Sequence, residues 1–96
     1  MPHNLNTLEQ EIKALLEQDK VQQVILLMED YIRSENQMND SLYYLLGNAH
    51  RRMGDIPSAM NLYMEAIRLN PGSPAIYALS SAKDVMAFYN ENLYNL

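Results

Sequence analysis

Two stop signals set close together most constrain what this chain can fold into. Gly54-Asp55-Ile56-Pro57 and Asn70-Pro71-Gly72-Ser73 bracket a segment that carries helical rather than strand periodicity. Glycine closes a helix in the left-handed conformation, aspartate caps the next one, and proline fits its first turn. One helix therefore ends near Met53 and the next runs from the Asp55 cap to about Leu69. So short a turn forces the two to pack antiparallel. Gly47 and Ala59 are small where the two must cross, and Tyr43, Leu46 and Tyr63 fill the space around the crossing. Ala66 is small where a following helix, begun by Ser73-Pro74, has to dock. A hairpin of this kind cannot bury both faces alone, so it requires helical neighbours.

The rest of the chain supplies them. A 3.6-residue period places a helix over residues 6–18, with Leu5, Leu8, Ile12, Leu15 and Leu16 on one side and Thr7 and Gln10 as a capping box. After a break at Asp19-Lys20, a second helix covers 21–34. Its stripe of Val21, Val24, Ile25, Met28, Tyr31 and Ile32 is widened by Leu26 and Leu27, which predicts packing on two sides. Residues 35–39 form a polar linker, and Asp40 or Ser41 caps a third helix. The fifth helix starts at Pro74 and reaches about Tyr89. No segment reads as a strand. The expectation is one all-α domain over residues 1–96, built of antiparallel hairpins and about five helices. It divides into a hairpin at 5–37, a second at 40–73, a closing helix at 74–90 and a tail at 91–96.

The window 40–73 resembles a tetratricopeptide repeat along its whole length. Tyr43 stands at the family's early aromatic, Leu46-Gly47 at its Leu-Gly pair and Gly54-Asp55 at its turn. Ala59, Tyr63 and Ala66 match the second helix, Asn70-Pro71 the terminating pair, and His50 replaces the usual tyrosine. The resemblance implies a short right-handed solenoid of stacked hairpins. It weakens in the first hairpin. There Asp19, Val24, Ile25, Met28, Tyr31 and Ile32 precede Gly54, Ala59, Met60, Tyr63, Ala66 and Ile67 by 35 residues, yet Ile12 falls where Gly47 lies and Tyr31 where Ala66 lies. That hairpin reads as a degenerate repeat with different close packing.

The resemblance also implies a function, protein–protein interaction through a concave groove lined by the first helix of each hairpin. Carried onto this sequence, the third helix offers Ser41, Tyr44, Asn48, Arg51 and Arg52, and the fifth offers Ala75, Ala78, Ala82, Val85 and Met86. The residues expected to bind a partner are Tyr44, Asn48, Arg51, Arg52, Ala78, Ala82 and Met86. Such a groove suits a peptide with apolar and acidic groups, because arginine grips a carboxylate with paired hydrogen bonds. The same two arginines also complement a helix C-terminus. Some relatives clamp the C-terminal carboxylate of chaperones. Asn48 matches one element of that clamp, but Ala75 and Leu79 stand where its cations belong. A second expectation is a homodimer through the fifth helix and tail, because Ile76, Tyr77, Leu79, Met86, Phe88, Tyr89, Leu93, Tyr94 and Leu96 exceed what one hairpin can cover.

Charge and chemistry narrow the partners further. Seven basic residues face twelve acidic ones, a net charge of −5, and no basic run exceeds Arg51-Arg52. A nucleic-acid partner is therefore not expected. The absence of cysteine removes disulfides, thiolate metal sites and cysteine nucleophiles. His3 and His50 do not make a metal site, Glu9 and Glu11 do not share a helix face, and Ser80-Ser81 has no adjoining base. Neither an enzyme nor a cofactor is expected. The first eighteen residues do not read as a signal peptide, and the longest apolar run, 24–28, is too short for a bilayer. These features place the expected location in the cytoplasm.

Overall fold

The computed structural model describes residues 5–34 and 37–94, with side chains over 6–34 and 37–88. The helices are α1 (Leu5–Glu17), α2 (Val21–Arg33), α3 (Asp40–Arg52), α4 (Ile56–Leu69) and α5 (Ala75–Tyr94). No strand occurs among the described residues. They form an open stack rather than a ball, measuring 53 × 28 × 23 Å. Two ends differ from the sequence reading. α1 begins at Leu5, which puts Thr7 inside its first turn rather than at the cap. α5 continues to Tyr94, past the expected end near Tyr89, because 90–94 contains no Gly or Pro to stop it. His3, the linker residues Glu35 and Asn36, and Leu96 lie outside the described residues, as do the side chains of Leu5, Tyr89, Leu93 and Tyr94.

Both hairpin turns are built alike. At the first, the Lys20 N–H donates to the Leu15 carbonyl and the Asp19 N–H to that of Leu16. At the second, the Asp55 N–H donates to His50 and the Gly54 N–H to Arg51. Each turn passes through one left-handed residue, Asp19 at φ 59° and Gly54 at φ 87°, placed 35 residues apart. This paired 6→1 closure ends a helix by satisfying carbonyls its own backbone cannot reach. An L-residue with a Cβ pays a conformational penalty there that glycine does not. Asp19→Gly should therefore stabilise the fold by about 0.5 kcal/mol. A raised thermal unfolding midpoint is the expected reading, and a lowered one contradicts the claim that the turn is strained.

Each hairpin also ties its first helix to the loop that follows it. Asn39 Nδ2 donates to Glu9 Oε1 of α1 at 2.9 Å, and Asn70 Nδ2 donates to Asp40 Oδ2 of α3 at 3.0 Å. Asn39 is also the N-cap of α3, accepting from the Leu42 N–H at 2.8 Å. It takes the place expected for Asp40 or Ser41. The caps of α4 and α5 fall where the sequence puts them, on Asp55 and Ser73.

Two cores lie on either side of α3. The first is aliphatic and joins Leu8, Ile12 and Leu16 of α1 to Val24, Ile25 and Met28 of α2 and to Leu42, Leu45, Leu46 and Ala49 of α3. The second is built of Ala59, Tyr63 and Ala66 of α4 with Ala75 and Ala82 of α5. In the first hairpin, medium side chains at Ile12, Val24 and Met28 occupy the places that Gly47, Ala59 and Tyr63 hold in the second, and all three are fully buried. Two small residues and one tyrosine are exchanged for three mid-sized ones. Cores tolerate such exchanges when total volume is kept.

Candidate interaction face

α3 stands between the cores, and its remaining surface carries the residues of interest. Tyr44, Asn48 and Arg51 recur every three or four positions, so they form one stripe, and each is half-buried. The Tyr44 ring sits 6.1 Å from the ring of Tyr63 on α4, tilted by 42°. The Tyr63 hydroxyl donates to Asn48 Oδ1 at 2.6 Å. That bond occupies the carbonyl side of the Asn48 amide. Burial pushes the Tyr63 phenol up, while the Arg51 guanidinium works in the opposite direction. Arg51 Nη2 then reaches across to α5 and donates to Ser81 Oγ at 2.7 Å. No carboxylate pairs with Arg51 among the described residues.

Arg52 has a separate role. Its Nη1 donates to the carbonyl of Leu16 at the C-terminus of α1. A cation there adds a second hydrogen bond to a carbonyl that already accepts from the Asp19 N–H, and complements the helix dipole. Arg51 and Arg52 are neighbours in sequence but reach different helices, α5 and α1, since adjacent helical residues point about 100° apart. Arg52 therefore leaves the group of residues expected to grip a partner.

The stripe assigned to α5 also needs correction. Ala75 and Ala82 are fully buried and Ala78 packs half-buried beside them, all against α4. Val85 and Met86 are half-buried. Alanines at 75, 78 and 82 repeat, 33 residues on, the buried positions Leu42, Leu45 and Ala49 of α3. The sequence reading used 34. One residue rotates a helix by about 100°, which turns the alanines into the core and brings Ser81 to Arg51, with Tyr77 one turn before Ser81 on the same side of α5. Tyr77 is 79% exposed. The spacing of those alanines, three then four, was the available signal, because it fits a close helix contact as well as a groove wall.

His50 packs in the hairpin, as expected, with Nδ1 3.6 Å from Asp55 Oδ2. The Asp55 carboxyl is held below its ordinary range, first by hydrogen bonding with Ser58 at the α4 cap and further by His50. Among the described residues no group of His, Asp and Glu could hold a metal ion, and no helix is long and apolar enough to cross a membrane.

Comparison with known proteins places this geometry. The profile described as tetratricopeptide repeat matches residues 41–73. The solution NMR structure of the Bacteroides fragilis protein BF1650 superposes with a TM-score of 0.74 at 39% identity, over 91% of this chain and 88% of that one. The chain belongs to the tetratricopeptide-repeat family. No curated protein matches it. Tetratricopeptide repeats mediate protein–protein interaction. The matched window covers α3 and α4, and the likeness to BF1650 extends across nearly all five helices.

Proposed function

We propose that this tetratricopeptide-repeat protein is a binding module that grips a carboxylate-bearing segment of a partner protein on the face shared by α3 and α5. The contact residues are Tyr44, Asn48 and Arg51 on α3, with Tyr77 and Ser81 on α5. The observation that carries this reading is the state of Arg51. The residue is half-buried on that face, and its guanidinium donates at 2.7 Å to a neutral hydroxyl in a solvent-exposed contact. A guanidinium has five N–H donors in a fixed fork, matched best by the two oxygens of a carboxylate. An incoming carboxylate completes what Ser81 satisfies only in part. Tyr44 and Tyr77 supply apolar area beside it, and the Asn48 amide supplies donors for a peptide backbone.

Affinity capture from the source organism tests this with the tagged full chain. Arg51→Glu should keep the helical circular dichroism of the parent and lose the partner at least about tenfold, as expected when a charge-assisted contact becomes a repulsion. Arg68→Glu, altering a cation that pairs with Glu65 on the exposed side of α4, should capture it normally. Arg52 is left intact, because replacing it would remove the hydrogen bond that ties α3 to the Leu16 carbonyl of α1. Equal capture by Arg51→Glu and the parent would refute the assignment.

A further inference from the structure

The outward side of α5, turned away from the buried Ala75 and Ala82, carries a row of residues that has the same character in both directions. Tyr77, Ser81, Asp84 and Phe88 follow at steps of four, three and four, the spacing that keeps residues on one seam of a helix. The ends are aromatic and the middle is polar. Tyr77 is 79% exposed and Phe88 62%, and Ser81 and Asp84 are exposed as well. Aromatic rings carry the largest apolar areas that a contact can bury. The two charges of this side are unmatched. Arg51 reaches the row at Ser81 and has no carboxylate, while Asp84, one turn beyond Ser81, pairs with no cation among the described residues.

We infer that this row is the interface of a homodimer in which Asp84 of each copy supplies the carboxylate for Arg51 of the other. The inference rests on the reading of Arg51 given above and deepens it by naming the partner as a second copy of this chain. A two-fold interface needs one patch that complements itself. With the two copies of α5 antiparallel, an axis passing between residues 82 and 83 sets Tyr77 of each copy opposite Phe88 of the other. The same register sets Ser81 opposite Asp84. Because Arg51 is already held at Ser81, the Asp84 carboxylate of the other copy arrives beside its guanidinium. A fork that donates to one neutral hydroxyl keeps donors for both oxygens of that carboxylate. Charge and apolar area are thus matched at a single register. A parallel arrangement fails, because it would oppose Asp84 to Asp84, a like-charge contact, and leave Arg51 without its acid.

The test is the solution mass of the full chain by sedimentation equilibrium over a range of concentrations, with the helical circular dichroism of each variant beside it. The parent should be a reversible dimer. Arg51→Glu and Asp84→Arg should each weaken it at least about tenfold, because symmetry repeats the repulsion at two places. Ser81→Glu should also favour monomers, since it gives Arg51 a carboxylate from its own chain. The decisive step is to mix the two charge variants. Arg51→Glu with Asp84→Arg should form a dimer containing one copy of each, and a chain carrying both changes should dimerise with itself. A purely structural role for either residue predicts no such recovery. A dimer that Arg51→Glu leaves intact would overturn the inference, and so would charge variants that fail to recover when mixed. A parent that stays monomeric throughout would overturn it too. If that monomer still loses a foreign partner on Arg51→Glu, the carboxylate reading stands and the homodimer alone is refuted.

Discussion

Gly47→Ala should destabilise the protein by about 1–3 kcal/mol, although alanine is the better helix former by about 1 kcal/mol. The two effects oppose one another, and the geometry decides between them. The new Cβ would meet Tyr63 Cε1 at 2.6 Å, Cδ1 at 2.8 Å and Cζ at 3.2 Å. These belong to a rigid ring that is fully buried, and its hydroxyl is tethered to Asn48 at 2.6 Å. The ring cannot swing aside as a flexible side chain could, so the helices must separate. For a domain of this length that corresponds to a fall in melting temperature of about 4–8 °C per kcal/mol. A second substitution identifies the cause. In the Gly47→Ala background, Tyr63→Leu should cost less than it does alone, because it removes the clash. A stabilised Gly47→Ala protein would show that α3 and α4 do not cross at this residue.

Ala82→Glu should be more damaging still, and Ser81→Glu nearly harmless, although the residues are adjacent. Ala82 is fully buried against α4 among Ala59, Tyr63, Ala66 and Ala75. A glutamate there would be overpacked and would carry an unpaired charge into an apolar contact, at a cost of about 3 kcal/mol or more. Ser81 is exposed and already faces Arg51, so a carboxylate there gains an ion pair. The expected reading is amide exchange. Ala82→Glu should strip protection from the first turns of α5, while Ser81→Glu should keep it. The two positions would exchange behaviour if α5 followed the 34-residue correspondence and turned its alanines outward.

That contrast marks where the sequence was readable and where it was not. Helix number, order and turns were legible because Gly54, Pro57, Pro71 and Pro74 act locally, and so was the contact of Gly47 with Tyr63 at the crossing of the second hairpin, whereas Leu46, read as part of that crossing, packs into the first core. The repeat character of the first hairpin was less visible. Its turn uses Asp19 in place of glycine, and its crossing uses Ile12 in place of Gly47. The left-handed φ of Asp19 and its closure onto Leu15 and Leu16 bring the likeness into view. On the candidate face, Tyr44, Asn48 and Arg51 were legible as a stripe at three- and four-residue steps. Arg52 was not separable from Arg51 by pattern, because its partner is a backbone carbonyl in α1, 36 residues away. The rotation of α5 was hidden for a related reason. It is set by how closely alanines let two helices approach, which is a property of the pair rather than of either sequence.

The central claim is that partners bind on the face shared by α3 and α5. Site-specific photo-crosslinking tests it most directly, with a photoreactive phenylalanine analogue placed singly at Tyr44, Tyr77 and Leu26. Tyr44 shares the α3 stripe of Arg51 and Tyr77 lies one turn before Ser81 on α5, whereas Leu26 is a 64% exposed apolar residue on α2, outside that face. The account predicts that the partner crosslinks at Tyr44 and at Tyr77 and not at Leu26. A crosslink confined to Leu26 would contradict it.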